Sequence, residues 1–425
     1  MNPGAWFPVP GWAVRCRDHL LVAAFALMAS VAGVMNDFVY DDVPLIRDNV
    51  RVHGLTHWRE ILVSPYWPPP FVEQLYRPLT MLAAALEYAT GAGTPLVFRL
   101  VSYALYAASA VAVFMLAKRL LPRDAALAAA VLFAVHPVHV EAVALGVNQG
   151  ELIVGILAVA MLIRYVDRRR VGALAGRDWV FLGALYAAVA LTRENGFVLP
   201  ALLLAAELLP LDNAPIAVRA RKLWFGYAAL ASVGAGVLLI RNAVLDGHVA
   251  TVVTNRAFAG LSVAGREFVM LQVVPMWVRL LAWPARLQAD YGVDDLVRRT
   301  SMGPSEALGL ALVVAALAII VFTRRRAPVI CVGLAWCAVG LFPVSNVVPT
   351  GIVLAERTLF LPSIGFLVAV GAAGAEVARR WPGARVRRIL IFACSVLALL
   401  GIARSAGRHR VWNSAHLVVV PHHSV

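Results

Sequence analysis

Phe38-Val39-Tyr40-Asp41-Asp42 follows an apolar run from Leu20 to Met35 and opens a polar stretch lasting to about Pro95. The run is preceded by Arg15 and Arg17, and its charge and length would also suit a signal peptide with a cleavage site at Val31-Ala32-Gly33. Two adjacent carboxylates standing so soon after it favour an uncleaved first membrane span. Paired acids near a bilayer repel each other and lose hydration. Taken alone, Asp41-Asp42 also suits a solvated loop start.

Composition sets the class. The chain of 425 residues is 61% hydrophobic and only 15% charged, where soluble domains carry roughly 25% charged residues. This is an all-α polytopic membrane protein. The net charge of +14 comes from 36 Arg and two Lys, Lys118 and Lys222. These lie in short loops between apolar runs, the pattern of orientation signals and not of a nucleic-acid footprint. Cys16, Cys331, Cys337 and Cys394 have no metal-ligand spacing and read as packing residues.

Apolar segments of near-bilayer length recur at 20–35, 99–121, 125–143, 150–166, 179–192, 196–210, 222–245, 304–323, 328–345, 358–377 and 387–403. That predicts about 11 transmembrane helices in residues 1–403, a first outer loop over 37–98, a second over 246–303, and a short tail over 404–425. The segment 266–288 is apolar enough for a twelfth span but is interrupted by Pro275, Arg279, Pro284 and Arg286. If it lies along the interface, every dense basic loop falls on one face, which then holds the whole net charge. The positive-inside rule makes that face cytosolic, with the N-terminus inside.

On this topology the unusual polar groups collect on the outer face. They are Asp41-Asp42, His136-Pro137-Val138-His139-Val140-Glu141, Asn148-Gln149-Gly150-Glu151, Thr192-Arg193-Glu194-Asn195, Arg241-Asn242, Asp290-Tyr291 and Glu356-Arg357. Each has a plain alternative. Arg193-Glu194 and Glu356-Arg357 read as mutual ion pairs. His136, His139 and Glu141 read as a hydrogen-bonded helix end, their spacing being loose for zinc. Seven such sets on one face point to an outward-facing active or transport site.

Phe38-Val39-Tyr40-Asp41-Asp42 with Asn49-Val50, Tyr76-Arg77-Pro78-Leu79-Thr80, and His136-Pro137-Val138-His139-Val140-Glu141-Ala142-Val143 carry a family resemblance. Phe342-Pro343-Val344-Ser345-Asn346 and Glu356-Arg357-Thr358-Leu359-Phe360-Leu361-Pro362-Ser363 continue it. The chain resembles the membrane part of the transmembrane and tetratricopeptide-repeat O-mannosyltransferases and their bacterial relatives, within the GT-C glycosyltransferases. Asn148-Gln149-Gly150-Glu151 stands where an Arg-Ala-(Asp/Glu)-like string is expected, and Thr192-Arg193-Glu194 where a Lys-Glu pair is common. Family members continue into helical repeats, and Arg408-His409-Arg410-Val411-Trp412 resembles the lead-in to them.

The resemblance implies transfer of a sugar, mannose, from a polyprenyl-phosphate carrier to an acceptor hydroxyl of a protein or glycan, outside a bacterial inner membrane. Lipid phosphate is already a good leaving group, so the reaction needs a base behind the anomeric carbon and cations for the phosphate. Asp41 is assigned the base and Asp42 the orientation of a hydroxyl, with the reverse order open. Arg77, Arg193, Arg241 and Arg357 are the phosphate candidates, and His136 and His139 with Glu141 shape the pocket or donate to the phosphate. Glu151, Glu194 and Glu356 complete the binding set. No metal is required, though acids of this kind are compatible with Mg²⁺ or Mn²⁺. A transporter or lipid flippase would share the all-helical build, but it should show inverted repeats and charges at mid-membrane, which the sequence lacks.

Overall fold

The computed structural model describes residues 11–71, 75–212, 214–247, 258, 260–288, 291, 301–349 and 353–413. Asp290, one of the polar residues singled out above, lies outside them. The described residues are helical, without strands. Helix α1 is Gly11–Ser30; α2 (Trp58–Leu62) and α3 (Pro78–Gly91) lie in the first long connection. Then come α4 (Pro95–Leu120), α5 (Arg123–Ala134), α6 (Val140–Ala144), α7 (Gln149–Val171), α8 (Gly176–Thr192), α9 (Leu199–Ala206) and α10 (Ile216–Val244). The second long connection holds α11 (Val263–Met270) and α12 (Val273–Ala282), before α13 (Pro304–Thr323), α14 (Pro328–Leu341), α15 (Phe360–Arg380) and α16 (Ala384–Val411).

Local chemistry sets several of these boundaries. Pro78, Pro95, Pro304 and Pro328 open α3, α4, α13 and α14, where a missing N–H costs nothing and the fixed φ suits a helix start. Pro137 acts the other way, because the residue before a proline is pushed to extended backbone. His136 duly sits at φ −70°, ψ 121°, and the third apolar segment bends by 45° between α5 and α6.

Each of the eleven apolar segments falls on helix. Among the described residues seven stretches are long and apolar enough to cross a membrane, or eight with the bent pair counted as one. The segments at α8 (17 residues), Glu194–Ala206 and Pro328–Val344 fall short of that length. The expected tail from 404 begins inside α16, which continues to Val411. Gly333 and Gly365 let α14 and α15 touch backbone to backbone: a Cβ on Gly365 would clash with the Gly333 carbonyl oxygen. Such small-residue contacts drive helix association where lipid cancels any hydrophobic gain.

Polar contacts gather at two opposite ends of the bundle. At one end Arg119 of α4 pairs with Asp167 of α7 at 2.9 Å, and Arg169 of α7 and Arg219 of α10 both hold Glu207, at 2.7 and 3.2 Å. Arg387 of α16 meets Asp124 of α5 at 3.0 Å. At the other end lie the starts of α4, α7 and α15 and the ends of α1, α8 and α16. The segment 266–288 stays at this second end. Arg266 donates to the Asn346 and Val347 carbonyls, the Leu281 carbonyl lies 3.0 Å from His136 Nε2, and the Gln288 N–H donates to Glu356. Its longer helix has ten residues, about 15 Å against a hydrocarbon core of roughly 30 Å, so the segment returns to the end it left.

Candidate active site

The second end is built on the two adjacent carboxylates, and the fold gives them different surroundings. Asp42 is fully buried. Its Oδ2 accepts from the Gly146 N–H at 2.9 Å and from the Arg99 guanidinium at 3.3 Å, and its Oδ1 accepts from the Val147 N–H at 2.9 Å. Arg99 is equally buried and also donates to the Asp37 carbonyl at 2.8 Å. Asp42 therefore ties the loop to the starts of α4 and α7, with its lone pairs committed inside the protein.

Asp41 is half-buried, and among the described residues nothing hydrogen-bonds to its carboxylate. Burial pushes its carboxyl up to about 6. The Arg357 cation opposes that rise, Glu141 and Asp42 add to it, and Arg193 opposes it. It is a carboxylate that titrates near neutrality, open on one side. The chain reaches it through Tyr40, whose φ of +52° is a left-handed conformation rare for a bulky side chain.

The remaining acids and arginines interlock. Glu194 accepts from Arg77 Nε at 2.8 Å, while its neighbour Arg193 pairs with Glu151 at 2.9 Å. Glu141 accepts the Arg357 backbone N–H at 2.9 Å and its guanidinium as well, while the neighbouring Glu356 accepts from Arg408 at 3.4 Å. The reading of Arg193-Glu194 and Glu356-Arg357 as mutual pairs is thus corrected. Neighbours on one strand of chain point apart, so each member reaches a different helix. Arg193 lies in the field of both Arg77 and Arg357, and Arg357 and Arg193 in turn act on Asp41. Tyr66 covers the Arg77 guanidinium at 4.9 Å from its ring centroid. The side chains of Arg77, Arg193 and Arg357 are 12%, 8% and 11% exposed, so each is mostly buried while keeping an edge accessible.

The histidines face inward. His139 is buried, with Nδ1 3.0 Å from the Tyr106 hydroxyl and Nε2 2.8 Å from Ser363 Oγ. His136 Nε2 meets the Leu281 carbonyl at 3.0 Å, and its Nδ1 accepts the Val138 N–H at 3.3 Å. With all four ring nitrogens engaged by protein, donation to a phosphate is the alternative that the geometry disfavours. Both rings serve as struts between helices. Arg241 stands half-exposed in the last turn of α10. No group of three or more metal-ligand side chains occurs among the described residues.

Two participants were missed in the sequence. Arg99 was hidden in the first turns of an apolar span, and Arg408 was read as part of the tail. A cation inside a greasy helix is costly without a partner, and that was the available signal for Arg99.

No family model matches the chain. Protein O-mannosyl-transferase TMTC3 of Mus musculus is 24% identical over 405 residues, covering 88% of this chain and 44% of the mouse protein. Protein O-mannosyl-transferase Tmtc2 of Drosophila melanogaster is 31% identical over 293 residues, covering 66% of this chain and 30% of the fly protein. Among solved structures, the oligosaccharyltransferase of Archaeoglobus fulgidus superposes with a TM-score of 0.49 at 14% identity, over 92% of this chain and 53% of that one. The chain spans about half the length, or less, of the curated relatives it matches. The resemblance read from the sequence holds over most of the chain, which is similar to the protein O-mannosyl-transferases TMTC3 and TMTC4.

Proposed function

We propose that the protein is a GT-C-type membrane glycosyltransferase that moves mannose from a polyprenyl-phosphate carrier to a protein Ser or Thr hydroxyl. The reaction runs on the outer face of a bacterial inner membrane, by a single inverting displacement. Its curated relatives carry the name protein O-mannosyl-transferase. The observation that carries the reading is Asp41, a carboxylate without a protein hydrogen-bond partner among the described residues, set among the charges of Arg357, Arg193 and Glu141.

Asp41 takes the proton of the acceptor hydroxyl as its oxygen attacks the anomeric carbon, and the bond from that carbon to the carrier phosphate oxygen breaks. With a carboxyl near 6, Asp41 is ionised at neutral pH yet basic enough to accept the proton as it leaves. Arg77, Arg193 and Arg357 receive the phosphate, since guanidinium offers paired donors to its oxygens. Each guanidinium already has a glutamate partner, Glu194, Glu151 and Glu141 in turn, which keeps the three cations compensated and aimed for the phosphate oxygens. Asp42 holds the loop that aims Asp41. No step calls on a metal.

The test is transfer of radiolabel from polyprenyl-phosphate mannose in membranes carrying wild type or Asp41→Asn. Label entering protein only with wild type supports donor, acceptor and base together. Label in a lipid or glycan fraction would replace the acceptor, and equal transfer by both forms would refute the base.

A further inference from the structure

The last turn of α16 makes contacts unlike the rest of its helix. Most of α16 presents apolar residues outward, with Ile389, Phe392 and Leu399 57%, 70% and 67% exposed. A single stripe, Ala398, Gly401, Ser405 and His409, turns inward, and Trp412 continues it, fully buried. At that point the helix meets the loop that carries the base. Asn36 Nδ2 donates to the His409 carbonyl at 2.8 Å. Trp412 shares a buried apolar cluster with Phe38 and Val39, and its ring stands edge-on to Tyr40 with centroids 6.4 Å apart. Arg408 lies over the Trp412 ring at 5.6 Å and donates to Glu356 at 3.4 Å.

This one turn thus touches the residue preceding each of two site residues: Tyr40 before Asp41, and Glu356 before Arg357. Tyr40 is also the strained one. A left-handed tyrosine persists only where its surroundings over-determine it, and the Trp412 ring is part of those surroundings.

We propose that the last turn of α16 is a positioning element for the reaction. Trp412 holds Tyr40 in the left-handed turn that aims Asp41, and Arg408 fixes Glu356 so that Arg357 keeps its place. Neither residue touches the reacting atoms. The inference rests on the transferase reading given above.

The experiment measures kcat and KM for polyprenyl-phosphate mannose in purified wild type, Trp412→Phe, Trp412→Ala, Tyr40→Gly and the double variant Tyr40→Gly/Trp412→Ala. A misplacement of about 1 Å costs on the order of 100-fold in rate. Trp412→Ala should therefore lose about that much in kcat with KM little changed, and Trp412→Phe should restore most of it. Glycine adopts the left-handed turn without strain. In the Tyr40→Gly background the further loss from Trp412→Ala should shrink to less than about fivefold, the non-additivity expected of residues acting through one contact. Full additivity, or an unchanged kcat in a monodisperse Trp412→Ala protein, overturns the proposal while leaving the transferase reading intact. Absence of transfer by wild type overturns both. If Trp412→Ala does not fold, Arg408→Gln serves instead: it should weaken KM through Arg357, and an unchanged KM would refute the Glu356 link.

Discussion

Replacing Asp41 by Asn should make the empty protein more stable while it loses activity. The carboxyl of Asp41 stands at about 6 in the folded chain against 3.8 for an ordinary aspartate, chiefly because burial strips its hydration. Each unit of that rise is about 1.4 kcal/mol, so keeping Asp41 ionised costs the folded state about 3 kcal/mol, and its partial exposure trims this to about 1–3 kcal/mol. The sign follows from the direction. Below pH 3.8 the group is protonated folded or unfolded and costs nothing; the cost grows as pH rises from 3.8 to about 6 and is fully present above that. Asparagine removes the charge and with it the cost. In detergent at pH 8 the thermal midpoint of Asp41→Asn should exceed that of wild type by a few degrees, and at pH 4.5 the gap should largely close. Transfer should fall by about 10²–10⁴-fold, as when a general base is deleted, and the wild-type rate should rise with pH through a midpoint near 6. Equal midpoints at both pH values, or a wild-type rate flat between pH 5 and 7, would refute the description of Asp41 as a strained, ionised base.

Asp42 should behave oppositely. Asp42→Asn leaves Arg99 buried without its counter-charge, which typically costs about 3–5 kcal/mol, so its thermal midpoint should drop at pH 8, and the loss should shrink as pH falls and wild-type Asp42, whose carboxyl burial holds above its ordinary range, takes up a proton; an unchanged midpoint at pH 8 would contradict the anchoring role. Arg357→Lys keeps the charge but loses the paired donors, and should weaken carrier binding at least about tenfold in a KM measurement. Gly365→Ala forces a methyl against the Gly333 carbonyl and should destabilise by about 1–3 kcal/mol as overpacking, read as a lower midpoint with kcat per folded molecule retained. Pre-incubation with EDTA should leave the transfer rate unchanged, since no proposed step calls on a divalent ion; a rate lost to EDTA and restored by Mg²⁺ or Mn²⁺ would add one.

Much of this site is legible in the sequence, because the bilayer makes charge expensive and so conspicuous. Apolar run lengths locate the helical segments, and the distribution of arginines favours a 266–288 segment that stays on one face. Partners are another matter. Nothing in the string Arg193-Glu194 tells that one side chain reaches Glu151 and the other Arg77, because pairing depends on which helices lie on either side. The difference between Asp41 and Asp42 is equally hidden. It arises from Arg99 of α4 and two peptide N–H groups, of Gly146 and Val147, in the turn before α7. For His136 and His139 the sequence left a hydrogen-bonded helix end open beside pocket shaping and phosphate donation, and the contacts of both rings with protein favour the first.

The crossed ion pairs also bear on how the protein is made. Arg77 waits for Glu194, 117 residues later, and Glu141 for Arg357, 216 residues later. Arg408, the partner of Glu356, arrives only with α16. During synthesis each of these charges reaches the bilayer before its counter-ion exists, so early segments have reason to wait in water or beside an insertion factor until the later ones emerge. A truncated or stalled chain would expose single charges at the membrane, a mark by which a quality-control protease could recognise an unfinished protein before it held a working base.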